Sequence, residues 1–164
     1  MKDKIVICPG SFDPITKGHV DMILRANKLF DVVYVVIMIN SAKKPVFTEA
    51  ERLDMCKKVF EEYPQIKVIS CEGLLAGLVK SLGACTLIKG VRNITDFNYE
   101  FELAFINRNI NAEIETVFIP TKQEYMFLSS YMVREVGHYG GDISGFVPEC
   151  ICDFATEKLN NYKE

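Results

Sequence analysis

The chain has two histidines, and one of them, His19, closes the run Thr16-Lys17-Gly18-His19. That run follows a short apolar stretch, Ile5-Val6-Ile7-Cys8, and the turn-forming segment Pro9-Gly10-Ser11-Phe12-Asp13-Pro14. A strand, a tight loop, then glycine and histidine opening an amphipathic segment is an arrangement that holds phosphate. The first amides of a helix lack partners within it, and the helix dipole favours negative charge there. An imidazole at that spot adds a side-chain donor. Alone, the run carries little weight, since a histidine near a helix start is commonly a cap or a surface residue.

Further cations and hydroxyls stand just after other apolar runs. The segments 9–14, 40–45, 72–73, 89–93 and 120–130 hold Lys43, Lys44, Lys89, Arg92 and Lys122, together with Ser11, Ser129 and Ser130. Cations and hydroxyls gathered on one rim suit a polyphosphate. Other phosphate and acyl chemistries lack their signatures: there is no Gly-x-Gly-x-x-Gly after the first apolar run, no Gly-x-x-x-x-Gly-Lys-Ser/Thr and no Gly-x-Ser-x-Gly.

These segments need elements to position them. Residues 5–8, 32–39, 66–71, 85–88 and 116–119 read as strands, and the unbroken apolar run 32–39 reads as one covered on both faces. Residues 18–30 have helical apolar spacing, broken by Asp31. Thr48 and Glu51 form a capping box for a helix carrying Leu53, Cys56 and Phe60 and ended by Pro64. Residues 74–82 read as a short helix stopped by Gly83. Thr95 is the expected cap of a longer one with Phe97, Phe101, Ala104 and Phe105 on one face, a core or subunit-interface stripe. Residues 129–136 and 148–159 complete the helices, and His138 is expected in a surface loop. The alternation predicts an α/β, doubly wound, Rossmann-like five-stranded parallel sheet with helices on both faces, as a single domain over 1–164. Ligands of such sheets sit beyond the carboxyl ends of the strands, where strand order reverses.

Composition bounds the alternatives. The formal net charge is −3, with 49% hydrophobic and 25% charged residues among 164, which argues against a general nucleic-acid binder. No apolar run has the length of a membrane span, so a cytoplasmic protein without membrane contact is expected. The six cysteines contain no Cys-x-x-Cys pair and read as reduced thiols, without disulfide or metal.

In order and spacing the segments resemble the phosphopantetheine adenylyltransferases, nucleotidyltransferases with a His/Thr-x-Gly-His motif. The likeness rests on residues 9–19, on the lysine loop Lys43-Lys44-Pro45-Val46-Phe47-Thr48, on Lys89-Gly90-Val91-Arg92 through Asp96-Phe97-Asn98-Tyr99-Glu100, and on Leu128-Ser129-Ser130-Tyr131-Met132-Val133-Arg134. The resemblance implies transfer of the adenylyl group of ATP to 4′-phosphopantetheine, giving dephospho-CoA and pyrophosphate, with Mg²⁺ carried mainly on the ATP phosphates. It implies His19 and Lys43 as catalytic residues, His19 stabilising charge at the α-phosphate and Lys43 binding the attacking phosphate. Nucleotide contacts are implied for Ser11, Phe12, His19, Lys89, Gly90, Arg92, Glu100 and the run Tyr125, Met126, Phe127, Leu128, Ser129, Ser130 and Tyr131. Acceptor contacts are implied for Ser11, Lys43, Lys89 and Leu75, the last lining the pantetheine channel. It further implies a homohexamer and coenzyme A as a feedback ligand.

The chain departs from the family pattern at Lys89, where arginine is usual, at Ser11 for threonine, at Tyr125 for tryptophan and at Tyr131 for a smaller residue. Lysine keeps the charge of arginine without its two-pronged geometry. Two other readings compete. Transferases of the same fold acting on nicotinate mononucleotide or glycerol phosphate usually have histidine where Thr16 stands. Non-catalytic nucleotide-binding domains of similar architecture usually carry a late glycine-rich phosphate loop, and no such loop is found.

Overall fold

A computed structural model describes residues 4–40 and 44–162. Strands and helices alternate as β1 (Ile5–Gly10), α1 (Lys17–Asn27), β2 (Val32–Ile39), α2 (Glu49–Val59), β3 (Ile66–Glu72), α3 (Leu75–Ser81), β4 (Thr86–Val91), α4 (Ile94–Ile110) and β5 (Glu115–Pro120). A 3-10 turn (Gln123–Tyr125), α5 (Ser130–His138) and α6 (Glu149–Asn161) follow. The strands form one sheet in the order β3-β2-β1-β4-β5, with every neighbouring pair parallel. This is the expected five-stranded, doubly wound sheet, and its order reverses between β1 and β4.

The period-two geometry of the strands divides the core. In β1, Val6 and Cys8 join one cluster while Ile7 joins the other; in β2, Val33, Val35 and Ile37 alternate with Tyr34, Val36 and Met38 in the same way. The larger cluster is covered by Ile23 and Ala26 of α1, Met55 and Cys56 of α2, Val133 of α5 and Ile151, Ala155 and Leu159 of α6. The smaller one is covered by Ala76 and Val79 of α3 together with Ile114. Helix α6 seats against α5 at Gly137, where a Cβ would lie 2.5 Å from Leu159 Cδ1. That contact admits only glycine without repacking.

Three local expectations are corrected. The cap of α4 is Asn93, not Thr95: the Asn93 side chain accepts the Asp96 amide at 2.9 Å, so the helix begins earlier and Thr95 lies in its exposed first turn. Helix α2 ends at Phe60, whose amide bonds the Cys56 carbonyl, well before Pro64. His138 is not in a loop but closes α5, exposed in its last turn, where an imidazole suits the negative end of the helix dipole. Thr48 and Glu51 do form the capping box on α2.

The aromatic stripe of α4 is resolved in favour of the surface. None of its residues is buried; Phe101 and Phe105 are 45% and 57% exposed, and Ile94, Ile106 and Ile110 are exposed as well. The rings form a ladder from Phe118 of β5 through Phe97 and Phe101 to Phe105, with successive centroids 5.3, 5.6 and 5.0 Å apart.

Candidate active site

The reversal of strand order places the ends of β1 and β4 side by side, and the residues that follow them form the site. After β1 the chain turns through Ser11, which is exposed, and Phe12, whose ring is buried and whose φ is +47°. A left-handed conformation at a bulky residue is held only where the surroundings fix it. Here the ring packs onto Gly10, where a Cβ would come within 2.9 Å of it, and edge-on to His19 at 5.2 Å between centroids. The Phe12 side chain is therefore occupied in packing, which leaves its backbone for any ligand.

Helix α1 begins in a capping box. The Thr16 hydroxyl accepts the His19 amide at 3.4 Å, and the Thr16 amide donates to His19 Nδ1 at 3.0 Å. Because a backbone N–H can only donate, Nδ1 must accept, and the neutral ring carries its proton on Nε2. Burial, and then the positive charge of Arg92, push the imidazole down from its ordinary value to about 4. His19 is thus a neutral Nε2–H donor near pH 7, locked in orientation by the turn that precedes its own helix.

Among the described residues the buried polar or charged side chains are Asp13, Thr16 and Arg52, and all three serve this one loop. Arg52, from α2, donates to the Ser11 carbonyl at 2.9 Å. The Asp13 carboxylate accepts the amides of Phe47 at 2.8 Å and Val46 at 3.2 Å, which ties the β1–α1 loop to the loop entering α2. From α5, Arg134 approaches Asp13 Oδ2 at 3.4 Å and donates to the Asp13 carbonyl, while Ser130 Oγ donates to the Pro14 carbonyl at 2.7 Å. A buried carboxylate is tolerated when its charge and lone pairs are met in this way.

Across the strand reversal, Lys89 of β4 meets Glu100 of α4 as an ion pair at 3.0 Å, both side chains largely covered. Glu100 Oε2 makes this contact without hydrogen-bond geometry and is otherwise unpartnered. Gly90 faces α1, a Cβ there lying 3.1 Å from Met22 Sδ. Arg92 grips Asp96 with two nitrogens, at 2.7 and 3.1 Å, and donates to the Leu128 carbonyl at 3.0 Å. It thereby fixes the segment 125–129 to the start of α4.

That segment closes the site. Tyr125 packs beside Gly18, where a Cβ would sit 3.4 Å from the Tyr125 Cβ, so the start of α1 and the segment before α5 lie against each other. Met126 and Phe127 are exposed, Leu128 half-buried, and Tyr131 exposed on the first turn of α5. Ser129 caps α5, accepting the Met132 amide at 3.1 Å and keeping its own hydroxyl proton to donate. Ser130 has spent its proton on Pro14. The first amides of α5 have no partner within the helix and can receive an anion.

The remaining sequence-predicted residues divide. Leu75 opens α3 and packs on the smaller core cluster. Lys44 is exposed, and Lys122 is paired with Asp21 at 2.6 Å. Lys17 donates to the Ser144 carbonyl at 2.9 Å. Lys43 lies outside the described residues. The sequence reading missed Asp13 as anything but a turn, and gave no role to Arg52 or Arg134. One signal was available: Ser130 and Arg134 are spaced i, i+4 on α5 and therefore share a face.

Comparison with known proteins fits this arrangement. The cytidylyltransferase-like family profile matches residues 7–136. Relatives named phosphopantetheine adenylyltransferase include one from Streptomyces coelicolor, 46% identical over 155 residues (94% of this chain, 97% of the relative). Another from Lachnoclostridium phytofermentans is 46% identical over 96% of both chains, and one from Caldanaerobacter subterraneus is 41% identical over 95% of this chain and 98% of its own. Among solved structures, a proposed nicotinate-nucleotide adenylyltransferase from Vibrio parahaemolyticus superposes with a TM-score of 0.69 at 18% identity, covering 96% of each chain. A lipopolysaccharide core biosynthesis protein from Thermoplasma volcanium gives 0.56 at 22% identity, over 74% of this chain and all of its own. Those two share the fold. With near-full-length identity at this level, and the motif segments brought around the β1–β4 reversal, the chain belongs to the phosphopantetheine adenylyltransferase family.

Proposed function

We propose that the protein transfers the adenylyl group of ATP to 4′-phosphopantetheine, releasing pyrophosphate and forming dephospho-CoA. The observation that carries this reading is His19: a neutral ring with its proton directed to Nε2, seated at the helix start beside the β1 loop in a chain of this family. An acceptor phosphate oxygen attacks the α-phosphorus of ATP, one P–O bond forms, and the bond to the bridging oxygen breaks as pyrophosphate leaves with the electron pair. The attacking phosphate is already largely ionised near neutral pH, so no strong base is required. What the site must supply is alignment and charge stabilisation.

In this reading His19 Nε2–H donates to an α-phosphate oxygen and its hydrogen bond strengthens as charge builds there. Lys43 and Lys89 attract the acceptor phosphate and the polyphosphate, with Ser11 contacting both substrates. Gly90, Glu100 and the segment 125–131 frame the nucleotide, and the Ser129 hydroxyl with the first amides of α5 receives its phosphates. Arg92 acts by holding that segment in place through the Leu128 carbonyl. Leu75 lines the channel for the pantetheine arm. Mg²⁺, in this reading, would be held by the triphosphate's own oxygens and would neutralise charge there.

The same reading makes the chain one nucleotidyltransferase domain of a cytoplasmic homohexamer, with coenzyme A as a feedback ligand. The exposed aromatic ladder of α4 supports self-association, since an apolar helix face of this extent is costly to leave in water. Among the described residues no helix is long and apolar enough to cross a membrane. The deciding experiment is pyrophosphate release from ATP with 4′-phosphopantetheine or nicotinate mononucleotide as acceptor. Turnover with the first supports the proposal; turnover with the second alone overturns it.

A further inference from the structure

We propose that Asp13 is a positioning residue for the transfer reaction, holding the loop before α2 and the start of α5 in register with the phosphate loop through one buried carboxylate. Three chain segments converge on it. Its own loop carries Ser11 and Phe12. The amides of Val46 and Phe47, in the second half of the lysine loop, donate to its two oxygens at 3.2 and 2.8 Å. Arg134 brings α5, whose first turn carries Ser129 and Ser130, to within 3.4 Å of Oδ2 and also donates to the Asp13 backbone carbonyl. The side chain is 9% exposed, so its inward face is closed to solvent and its partners are these donors.

The chemistry explains why a carboxylate is needed. Two backbone N–H groups donate to the side chain and a guanidinium charge stands 3.4 Å from Oδ2, and a carboxylate meets both amides and that charge without turning a donor toward another donor. Asparagine has nearly the same shape but presents one acceptor and one NH₂ group. One of the two amides would then lose its acceptor, and the Arg134 charge would lose its counter-ion. The segments on the acceptor side and the nucleotide side would no longer be fixed to a common point. Misplacement of reacting groups by about 1 Å lowers rates by up to about 10²-fold.

This inference rests on the proposed adenylyl transfer, and the test separates the two. Wild type, Asp13→Asn, Arg134→Met, Arg134→Lys and the double variant Asp13→Asn/Arg134→Met are compared for kcat and for the KM of each substrate, at a temperature where each remains folded. Amide hydrogen exchange at Val46 and Phe47 is read in the same proteins without ligand. Asp13→Asn is expected to lower kcat about 10- to 100-fold while the KM for ATP stays within about threefold, the pattern of lost alignment and not of lost ground-state binding. Arg134→Lys should retain more kcat than Arg134→Met. The double variant should lose little more than the worse single, because both act through one carboxylate.

A folded Asp13→Asn protein with kcat within about twofold of wild type overturns the proposal. So do losses that multiply in the double variant, or Val46 and Phe47 amides that keep their protection in Arg134→Met. If Asp13→Asn does not fold, the Arg134 variants and their amide exchange decide the question. Wild type inactive toward 4′-phosphopantetheine would sink the functional reading, and the amide exchange would still report whether the carboxylate holds the loop.

Discussion

His19 provides the sharpest quantitative test, because its role as a neutral donor leaves a mark on stability as well as on rate. The unfolded chain protonates a histidine near pH 6.5, whereas in the folded protein burial and Arg92 hold the ring down to about 4. Between those values the unfolded state binds the proton and the folded state does not. Stability is therefore fully present above about pH 7 and falls as the pH drops toward the folded pKa. At pH 5 the loss is RT times the logarithm of the ratio of the two binding polynomials, about 2 kcal/mol relative to pH 7.5. His19→Asn removes the titrating ring, and every other group is common to both proteins, so their contributions cancel in the comparison. Urea unfolding of wild type and His19→Asn at the two pH values should show wild type losing about 2 kcal/mol more than the variant on acidification. Equal losses in the two proteins would mean that His19 protonates freely in the folded state. The fixed Nε2–H donor would then be wrong.

His19→Ala should lower kcat about 10²–10³-fold while ATP affinity, read by titration calorimetry, changes by only a few fold. Lys89→Met leaves the Glu100 carboxylate covered and unpaired, and should cost about 1–3 kcal/mol in chemical denaturation; Lys89→Met/Glu100→Leu should recover most of it, and purely additive losses would deny the coupling. Gly10→Ala and Gly137→Ala each force a close contact, with Phe12 and Leu159 respectively, and each should cost about 1–3 kcal/mol of stability. Only Gly10→Ala should also reduce kcat, since Phe12 packs on His19. Phe105→Glu, on the exposed end of the α4 ladder, should shift the solution mass measured by light scattering toward the monomer.

Local pattern reading succeeded where structure is decided by neighbours in the chain. Residues 32–39 are a strand with those very bounds, because eight apolar residues covered on both faces leave a central parallel strand as the natural outcome. The Thr48–Glu51 box capped its helix because both partners lie within one turn. The cap of α4 was misread because Asn93 and Thr95 are both competent, and only the observed bond to the Asp96 amide distinguishes them. The α4 stripe was ambiguous for a different reason: helical spacing of phenylalanines states that one face is apolar and says nothing of what covers it.

The site shows the same division. His19, Ser11, Lys89 and Ser129 could be found in the sequence because a phosphate site needs donors after strand ends, and strand ends can be read from hydrophobic runs. Asp13 and Arg52 could not, because their partners are Phe47, Val46 and Arg134 in one case and Ser11 in the other, all remote in sequence and joined only when the sheet assembles. Aspartate before proline is rightly read as a turn; its second task exists only in three dimensions. Lysine at position 89, where the resemblance leads one to expect arginine, acquires a physical account by the same route. A two-pronged guanidinium would be drawn to Glu100 with both arms, whereas the single ammonium meets one oxygen at 3.0 Å and retains further N–H donors for a phosphate. The pair therefore places a covered cation in the second half of β4 while leaving it part of its hydrogen-bonding capacity, which is the property the proposed anion-binding rim needs at that point.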